Sequence, residues 1–299
     1  MPAGHRFPMQ KYRLLREAVQ RELPEVRACE APAVDVPALQ RVHAPLYIQA
    51  VLEGGLSPAQ VREIGFPWSP SLVERSLRSV GGTVAAARAA LHEGVAVNLA
   101  GGTHHATADQ GGGFCVFNDV AVAAREAQAR WGVQRCAVID LDVHQGNGTA
   151  AIFAGETSVF TLSMHGERNF PFRKVMGSLD VGLPDACGDA EYLLALDGAL
   201  GHLTQAHRQA PFNLVFYLAG ADPHKGDRLG RMALTAHAMH ARDERVMRWC
   251  EAHNQVPMVM CMAGGYGRDL DVMLAVQLQS LRSAVDSWRR RGALRHFAE

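Results

Sequence analysis

The chain alternates short apolar runs with amphipathic helical stretches over most of its length. Apolar runs that predict strands lie at residues 95–100, 135–142, 158–163, 213–219 and 257–263. The spacing between or after these runs predicts helices at residues 118–131, 189–209, 237–253 and 271–290. Strands separated by helices favour parallel pairing, with helices on both faces of the sheet. The pattern therefore predicts a three-layer α/β/α fold around a mostly parallel central sheet.

The first 94 residues have a mainly helical pattern with turn signals at residues 53–55 and 65–67. We find no internal repeat, no low-complexity segment and no linker long enough to mark a domain boundary. A chain of 299 residues exceeds the usual length of one domain, but single α/β domains of this size are common. We expect one domain over residues 1–299, with residues 1–94 as its helical N-terminal part.

Composition narrows the class of protein. The 30 basic and 30 acidic residues balance, and the basic cluster at residues 289–291 is short, so direct nucleic-acid binding is not expected. The six cysteines form no CxxC pair, which suits reduced thiols in a cytosol. No signal-peptide core or membrane-length apolar run is present. We expect a cytoplasmic protein without a membrane partner, and its oligomeric state stays open.

Polar side chains that bear chemistry follow four of the predicted strands. They are His104 and His105, then Asp142 and His144, then Asp222, and finally Tyr266. The carboxyl ends of parallel strands meet at one edge of the sheet, where α/β proteins bind their ligands. The sequence therefore predicts that these four groups converge on one crevice.

Asp140 and Asp142 are unusual in an apolar strand, because burying an unpaired carboxylate costs several kcal/mol. Asp142, His144 and Asp222 form a mixed oxygen and nitrogen set that leaves room for water and substrate, as catalytic metal sites do. Zn²⁺ fits this set and Fe²⁺ also accepts it.

A protein base is useful at such a site, because two carboxylates neutralise the formal charge of the cation and weaken its effect on bound water. His104 and His105 are candidates for this base. Asp140 and Asn147 are candidates to hold the two rings and tune their basicity.

The chain resembles zinc-dependent deacetylases of the histone deacetylase superfamily, and most closely the short class IV type. Five motifs carry the resemblance, in the family's order: GFPWSPSLVERSLRSVGGT, NLAGGTHHATADQGGGFCVFND, VIDLDVHQGNG, YLAGADPHKGDRLG and AGGYGRD. They extend from Gly65 to Asp269. Asn147 replaces the aspartate of class I enzymes and agrees with the class II and IV pattern. The resemblance implies the arginase/deacetylase fold and metal-assisted hydrolysis of an amide.

The resemblance also implies a role for each matching residue. The implied metal ligands are Asp142, His144 and Asp222. The implied catalytic residues are His104 backed by Asp140, His105 backed by Asn147, and Tyr266, which donates a hydrogen bond to the substrate carbonyl. The implied wall of a narrow acyl-lysine tunnel comprises Gly113, Phe114, Phe170, Gly264 and Gly265. A structural potassium ion is implied at Asp140, Asp142, His144, Ser163 and Met164.

Several functions remain open at this point. The first is a deacylase that acts on acetyl-lysine or longer acyl-lysine in proteins or peptides. The second is a hydrolase of acetylpolyamines or other small acylated amines. An arginase-like amidinohydrolase would need a second metal, yet DVHQGNG and ADPHKGD lack the additional aspartates. A non-catalytic acyl-lysine binder would predict damage to a catalytic set that is intact here.

Overall fold

A computed structural model describes residues 6–296, with side chains through residue 292. Residues 1–5 and 297–299 of the predicted 1–299 domain lie outside the described residues. The strands are β1 (Val95–Asn98), β2 (Cys136–Asp140), β3 (Val159–Gly166), β4 (Leu179–Leu183), β5 (Leu214–Leu218) and β6 (Met258–Cys261). The helices are α1 (Lys11–Glu22), α2 (Val36–Leu39), α3 (Pro45–Glu53), α4 (Pro58–Ile64), α5 (Pro70–Glu93), α6 (Asp119–Arg130), α7 (Asn147–Ile152), α8 (Asp189–Gln209), α9 (Ala236–Ala252) and α10 (Leu270–His296).

Within the described residues, the six strands form one sheet in the order β1-β6-β5-β2-β3-β4. Every neighbouring pair is parallel. Helices connect the consecutive strands, as the alternation of apolar runs and helices predicts, except between β3 and β4, which are joined by a loop. The parallel sheet expected from the sequence is confirmed.

The central strands are buried on both faces. In β2, Cys136 and Val138 point to one apolar cluster, whereas Ala137 and Ile139 point to the other. This division follows from the period of two in a strand. Because both faces need apolar side chains, β2 and β5 read as nearly continuous apolar runs.

Helices cover the two faces of the sheet. Helices α5 and α6 pack on one face, and α1, α8, α9 and α10 pack on the other. The three-layer α/β/α architecture expected from the sequence is therefore confirmed. None of the helices in residues 6–296 is both long and apolar enough to cross a membrane.

Side-chain caps fix the helices that flank β1. Ser69 accepts a hydrogen bond from the N–H of Leu72 at the start of α5. Gly94 ends α5 with a φ of 85°, a region that glycine adopts without strain, and leads directly into β1. Asn118 accepts a hydrogen bond from the N–H of Ala121 and begins α6. Ser69 and Gly94 thus fix the two ends of the helix that leads into β1, and Asn118 fixes the start of the next helix along the chain.

Some predicted boundaries differ from the structure. Strand β2 ends at Asp140, two residues before the predicted end, so Asp142 lies in the following turn rather than on a strand face. Strand β3 continues to Gly166, beyond the predicted end at residue 163. Strand β4 was not predicted, because it is a half-exposed edge strand with a glycine in it, and its sequence has no continuous apolar run.

The core position of Phe216 allows a direct test of the fold. Phe216 on β5 is fully buried between the sheet and its helices, so Phe216→Ala should lower the free energy of unfolding by about 3–5 kcal/mol. Phe172 is 86% exposed, so Phe172→Ala should change the free energy of unfolding by no more than about 0.5 kcal/mol. Chemical denaturation of both variants measures the difference. Equal losses would contradict this packing.

Candidate active site and metal centre

Four loops meet at the carboxyl edge of the sheet, where β1, β6, β5 and β2 end side by side. The loops carry His104 and His105 after β1, Tyr266 after β6, Asp222 after β5, and Asp142 and His144 after β2. All of these side chains are at most 8% exposed. The structure therefore brings together every polar residue that the sequence places at a strand end.

Asp142, His144 and Asp222 form a compact group of potential metal ligands. One atom from each side chain lies within 4.8 Å of the others. His144 Nδ1 is 2.9 Å from Asp142 Oδ1 and 3.2 Å from Asp222 Oδ2. Two carboxylates and one imidazole in this arrangement match the ligands of an open catalytic metal site.

The two buried carboxylates, Asp142 and Asp222, favour a positive charge beside them. Burial raises the pKa of Asp222, and the nearby charge of Asp142 raises it further, to about 7. Burial lowers the pKa of His144, but its contacts with the two carboxylates outweigh burial and raise the pKa to about 10. Asp222 Oδ2 is buried and has no well-oriented hydrogen-bond donor among the described residues. A divalent cation fits these donors, because it would bind the free oxygen and relieve the repulsion between the carboxylates.

The backbone fixes the two carboxylates in place. Asp142 Oδ2 accepts a hydrogen bond from the N–H of Gly264 at 2.8 Å, and Asp222 Oδ1 accepts one from the N–H of Val143 at 2.9 Å. A Cβ atom on Gly264 would lie 1.9 Å from Asp222 Oδ2. Only a glycine therefore allows the loop after β6 to approach both carboxylates this closely. The structure places Gly264 beside the candidate metal ligands, and its place in the wall of a tunnel stays a prediction.

The two histidines next to this group have similar geometry but different partners. His104 Nδ1 lies 2.6 Å from Asp140 Oδ2, and His105 Nδ1 lies 2.7 Å from Asn147 Oδ1. The two ring centroids are 4.2 Å apart. Each partner offers an acceptor to Nδ1, which puts the proton there in the neutral tautomer and leaves Nε2 as an acceptor. The sequence-based pairing of each ring with its partner agrees with these contacts.

The pKa values of His104 and His105 differ because the two rings have different partners. Burial lowers the pKa of His104, but the charge of Asp140 outweighs burial and raises the pKa to about 9. Burial lowers the pKa of His105 well below its usual value, and the positive charges of His104 and His144 lower it further. His104 is therefore the charged ring of the pair, and His105 is the neutral ring that can accept a proton.

Tyr266 lies beside His144. Its ring centroid is 6.2 Å from that of His144, and its backbone N–H donates to Asp227. Burial raises the pKa of the Tyr266 hydroxyl well above its usual value, and the charges of Asp142 and Asp222 raise it further. The hydroxyl therefore keeps its proton and can act as a hydrogen-bond donor.

Aromatic rings line the approach to His105 and Tyr266. The Phe170 ring is 4.9 Å from His105, and the Phe114 ring is 5.8 Å from Tyr266. A Cβ atom on Gly113 would lie 2.5 Å from His105, so a larger residue there would press on that ring. The structure groups these predicted tunnel residues at the site. Gly265 differs, because the nearest atoms to a side chain there belong to Ala221 and Gln277.

The predicted potassium ligands lie on β2, on β3 and in the turn after β2. Asp140 pairs with Ser163 across the two strands, and Met164 follows Ser163 in β3. Asp142 and His144 lie in the adjoining turn, and Ser163 Oγ is 3.0 Å from His165 Nδ1. The five residues are thus neighbours, and their role in binding potassium stays a prediction.

Sequence reasoning missed residues that support the site from further away. Lys11 on α1 is only 7% exposed; its Nζ donates to Ala263 O at 3.1 Å and lies 5.3 Å from the centre of the Tyr266 ring. Asp119 accepts hydrogen bonds from Gly102 and Thr103, in the loop that leads to the histidines. A signal existed for both: Lys11 falls on the apolar stripe of an amphipathic helix, and Asp119 ends a motif that carries the active-site histidines.

The sequence is similar to that of known histone deacetylases. The family model described as "Histone deacetylase domain" matches residues 5–278. The chain is 33% identical over 278 residues to histone deacetylase 2 of Arabidopsis thaliana, covering 90% of this chain and 70% of that protein. It is 33% identical over 294 residues to the histone deacetylase-like amidohydrolase of Pseudomonas aeruginosa, covering 90% and 73%.

The chain is also similar to a cyanobacterial protein and to a solved structure. An uncharacterized protein of Picosynechococcus sp. is 43% identical over 272 residues, which cover 90% of this chain and 89% of that protein. The crystal structure of the HDA15 HD domain matches with a TM-score of 0.77 at 22% identity, covering 95% of this chain and 86% of that chain. At this identity the structural match supports the fold, and the sequence matches support the family.

Gly264 provides a test of the candidate metal centre. Gly264→Ala would place a methyl group against Asp222 Oδ2, so the variant should bind Zn²⁺ at least about 10-fold more weakly than the parent protein. Gly198→Ala on α8 is the matched control, because a Cβ atom there meets nothing within 4 Å. Equilibrium dialysis against Zn²⁺ measures both. Unchanged affinity in Gly264→Ala would remove these carboxylates from the metal site.

Proposed function

This chain belongs to the histone deacetylase family, and from that premise we propose that it is a metal-dependent amide hydrolase that removes acetyl or longer acyl groups from lysine side chains. One observation carries the proposal: the buried group of Asp142, His144 and Asp222 lies against two histidines with separated basicities. The names of two relatives, a histone deacetylase and an amidohydrolase, support the same reaction class.

The proposed cofactor is Zn²⁺, held by Asp142, His144 and Asp222, with Fe²⁺ as the alternative that the same ligands accept. When bound, such a cation supplies a Lewis acid that polarises the acyl carbonyl and makes a water molecule more acidic. We also propose a structural potassium ion at Asp140, Asp142, His144, Ser163 and Met164, where it would brace the turn after β2.

The histidines would carry the proton transfers. His105 is neutral and its Nε2 is free to accept, so it takes a proton from the attacking water. The proton that His105 has accepted is then available for the departing amine. His104 keeps its charge through Asp140 and favours the negative charge that develops on the substrate. Proton transfer by a positioned side chain contributes roughly 10²–10⁴-fold to the rate.

Tyr266 would complete the electrophilic side of the site. Its hydroxyl keeps its proton and can donate to the carbonyl oxygen as that atom becomes an oxyanion. Gly113, Phe114 and Phe170 would hold the extended acyl-lysine side chain between aromatic rings.

The other functions fit these residues less well. An arginase-like enzyme needs two metals, yet the described residues contain a single group of three or more His, Cys, Asp or Glu side chains close enough to hold one. A non-catalytic binder would not need two histidines with opposite shifts in pKa. Small acylated amines such as acetylpolyamines present the same extended amide, so they are the second candidate substrate class.

We propose a cytoplasmic protein with an acyl-lysine peptide or protein as its partner.

Tyr266→Phe tests the proposed oxyanion contact. Removing one oxyanion donor should lower kcat on an acetyl-lysine peptide by about 100- to 1000-fold, with a smaller effect on KM. Tyr47→Phe is the control: it removes a buried hydroxyl that donates to the carbonyl of Val116 and should leave kcat near that of the parent. If Tyr266→Phe hydrolysed the peptide as fast as the parent, Tyr266 would have no catalytic role.

Metal removal and a substrate panel test the reaction class. Activity should disappear after chelation and return with about one equivalent of Zn²⁺ or Fe²⁺ per chain.

One reconstituted preparation should then be assayed on acetyl-lysine, long-chain acyl-lysine and acetylpolyamine substrates. Two catalytic metals per chain would favour the arginase-like function. Rapid turnover of the polyamine alone would move the proposal to small amines, and binding of acyl-lysine without release of free acid would indicate a binder.

A further inference from the structure

A buried arginine lies beneath the candidate metal ligands. Arg242 on α9 is fully buried, and its Nη1 donates to the carbonyl oxygens of Gly220 at 2.7 Å and Leu141 at 3.3 Å. Leu141 directly precedes Asp142, and Gly220 lies two residues before Asp222. One guanidinium group therefore binds the backbone of both loops that carry the carboxylates.

Each of these two peptide groups is also fixed at its N–H end. The N–H of Asp142 donates to Asp140 Oδ1 at 3.2 Å, so the peptide after Leu141 is held on both sides. The N–H of Ala221 donates to Gly264 O at 2.9 Å, which does the same for the peptide after Gly220. A planar peptide that is hydrogen-bonded at both its C=O and its N–H has little freedom to rotate. Asp142 follows the first of these peptides directly, and Asp222 lies one residue beyond the second.

The orientation of the guanidinium is itself determined. Its Nε and Nη2 lie 2.9 and 2.8 Å from Asp243 Oδ1. Asp243 also accepts hydrogen bonds from the hydroxyl groups of Tyr217 on β5 and Ser280 on α10. A planar guanidinium presents its donors in a rigid fork, so fixing one side against Asp243 aims the other side at the two carbonyls.

We propose that Arg242 is a positioning residue for the metal centre, which sets the separation of Asp142 and Asp222 through the backbone of their two loops. The inference rests on the proposed function, since it assumes that these carboxylates bind a divalent cation. An ion pair that served stability alone would need Asp243 but would not need to join these two carbonyls. Outer groups that orient metal ligands typically change metal affinity by about 10- to 100-fold when they are removed.

The test measures Co²⁺ affinity by competition with a chelator, together with the visible absorption of bound Co²⁺, which reports ligand geometry. Arg242→Met should weaken Co²⁺ binding by about 10- to 100-fold and alter the spectrum. Arg242→Lys keeps a positive charge beside Asp243 but has no rigid fork, so it should show a smaller loss. Circular dichroism establishes that each variant is folded. If Arg242→Met does not fold, Arg242→Lys and the double variant Arg242→Met/Asp243→Asn, which removes both buried charges, supply the measurement.

Arg291 provides the matched control. It is also buried, and its Nη1 donates to the carbonyl oxygens of Gln255 and Val256, just before β6 at the opposite edge of the sheet. Arg291→Met should lose stability but keep the parent's Co²⁺ affinity and spectrum. Parent-like Co²⁺ binding in folded Arg242 variants, or an equal loss in Arg291→Met, would overturn the positioning role. Failure of the parent protein to bind Co²⁺ or Zn²⁺ would instead overturn the proposed function itself.

Discussion

The repulsion between two buried carboxylates is the constraint on which this site depends. Asp142 and Asp222 both lie against the same imidazole, and both side chains are buried. Such a pair is stable only with a compensating positive charge and with hydrogen bonds that hold each group in place. Backbone N–H groups of Gly264 and Val143 donate hydrogen bonds to the two carboxylates. The repulsion between the carboxylates favours the binding of a cation. The acidic group could therefore hold a metal ion, because the backbone hydrogen bonds keep the two carboxylates from moving apart.

The paired histidines show how small differences in surroundings divide the chemistry. Both rings are buried, and both have an oxygen acceptor at Nδ1. The acceptor behind His104 is a carboxylate, which favours the charged ring, whereas the acceptor behind His105 is a neutral amide. Groups with separated pKa values are the usual means by which one site provides both a base and a positive charge at one pH. The amide of Asn147 therefore gives His105 an acceptor without the negative charge that raises the pKa of His104.

The N-terminal helical segment contacts the candidate site, although the candidate catalytic residues all lie after it. Lys11 from α1 reaches the carbonyl of Ala263 and the ring of Tyr266, and Phe7 also packs on Tyr266. Burial lowers the pKa of Lys11 to about 8, despite the opposing charges of Asp222 and Asp142. These contacts connect the first turn of the described chain to its last active-site loop. The segment before β1 thus helps to form the surroundings of Tyr266.

The sequence by itself determined the layered α/β fold and the set of residues at the carboxyl edge. It could do so because strand and helix periods are local, and because a carboxylate or imidazole just after an apolar run is visible without a structure. Only the tertiary structure decided where β2 ends, that β4 exists, and which residues support the site from beneath. Lys11 and Arg242 each lie on the apolar stripe of a helix, and the backbone carbonyls that they bind lie far from them in the chain. A local pattern shows that such a charge will be buried, but only the packing of distant segments determines which carbonyl or carboxylate it meets.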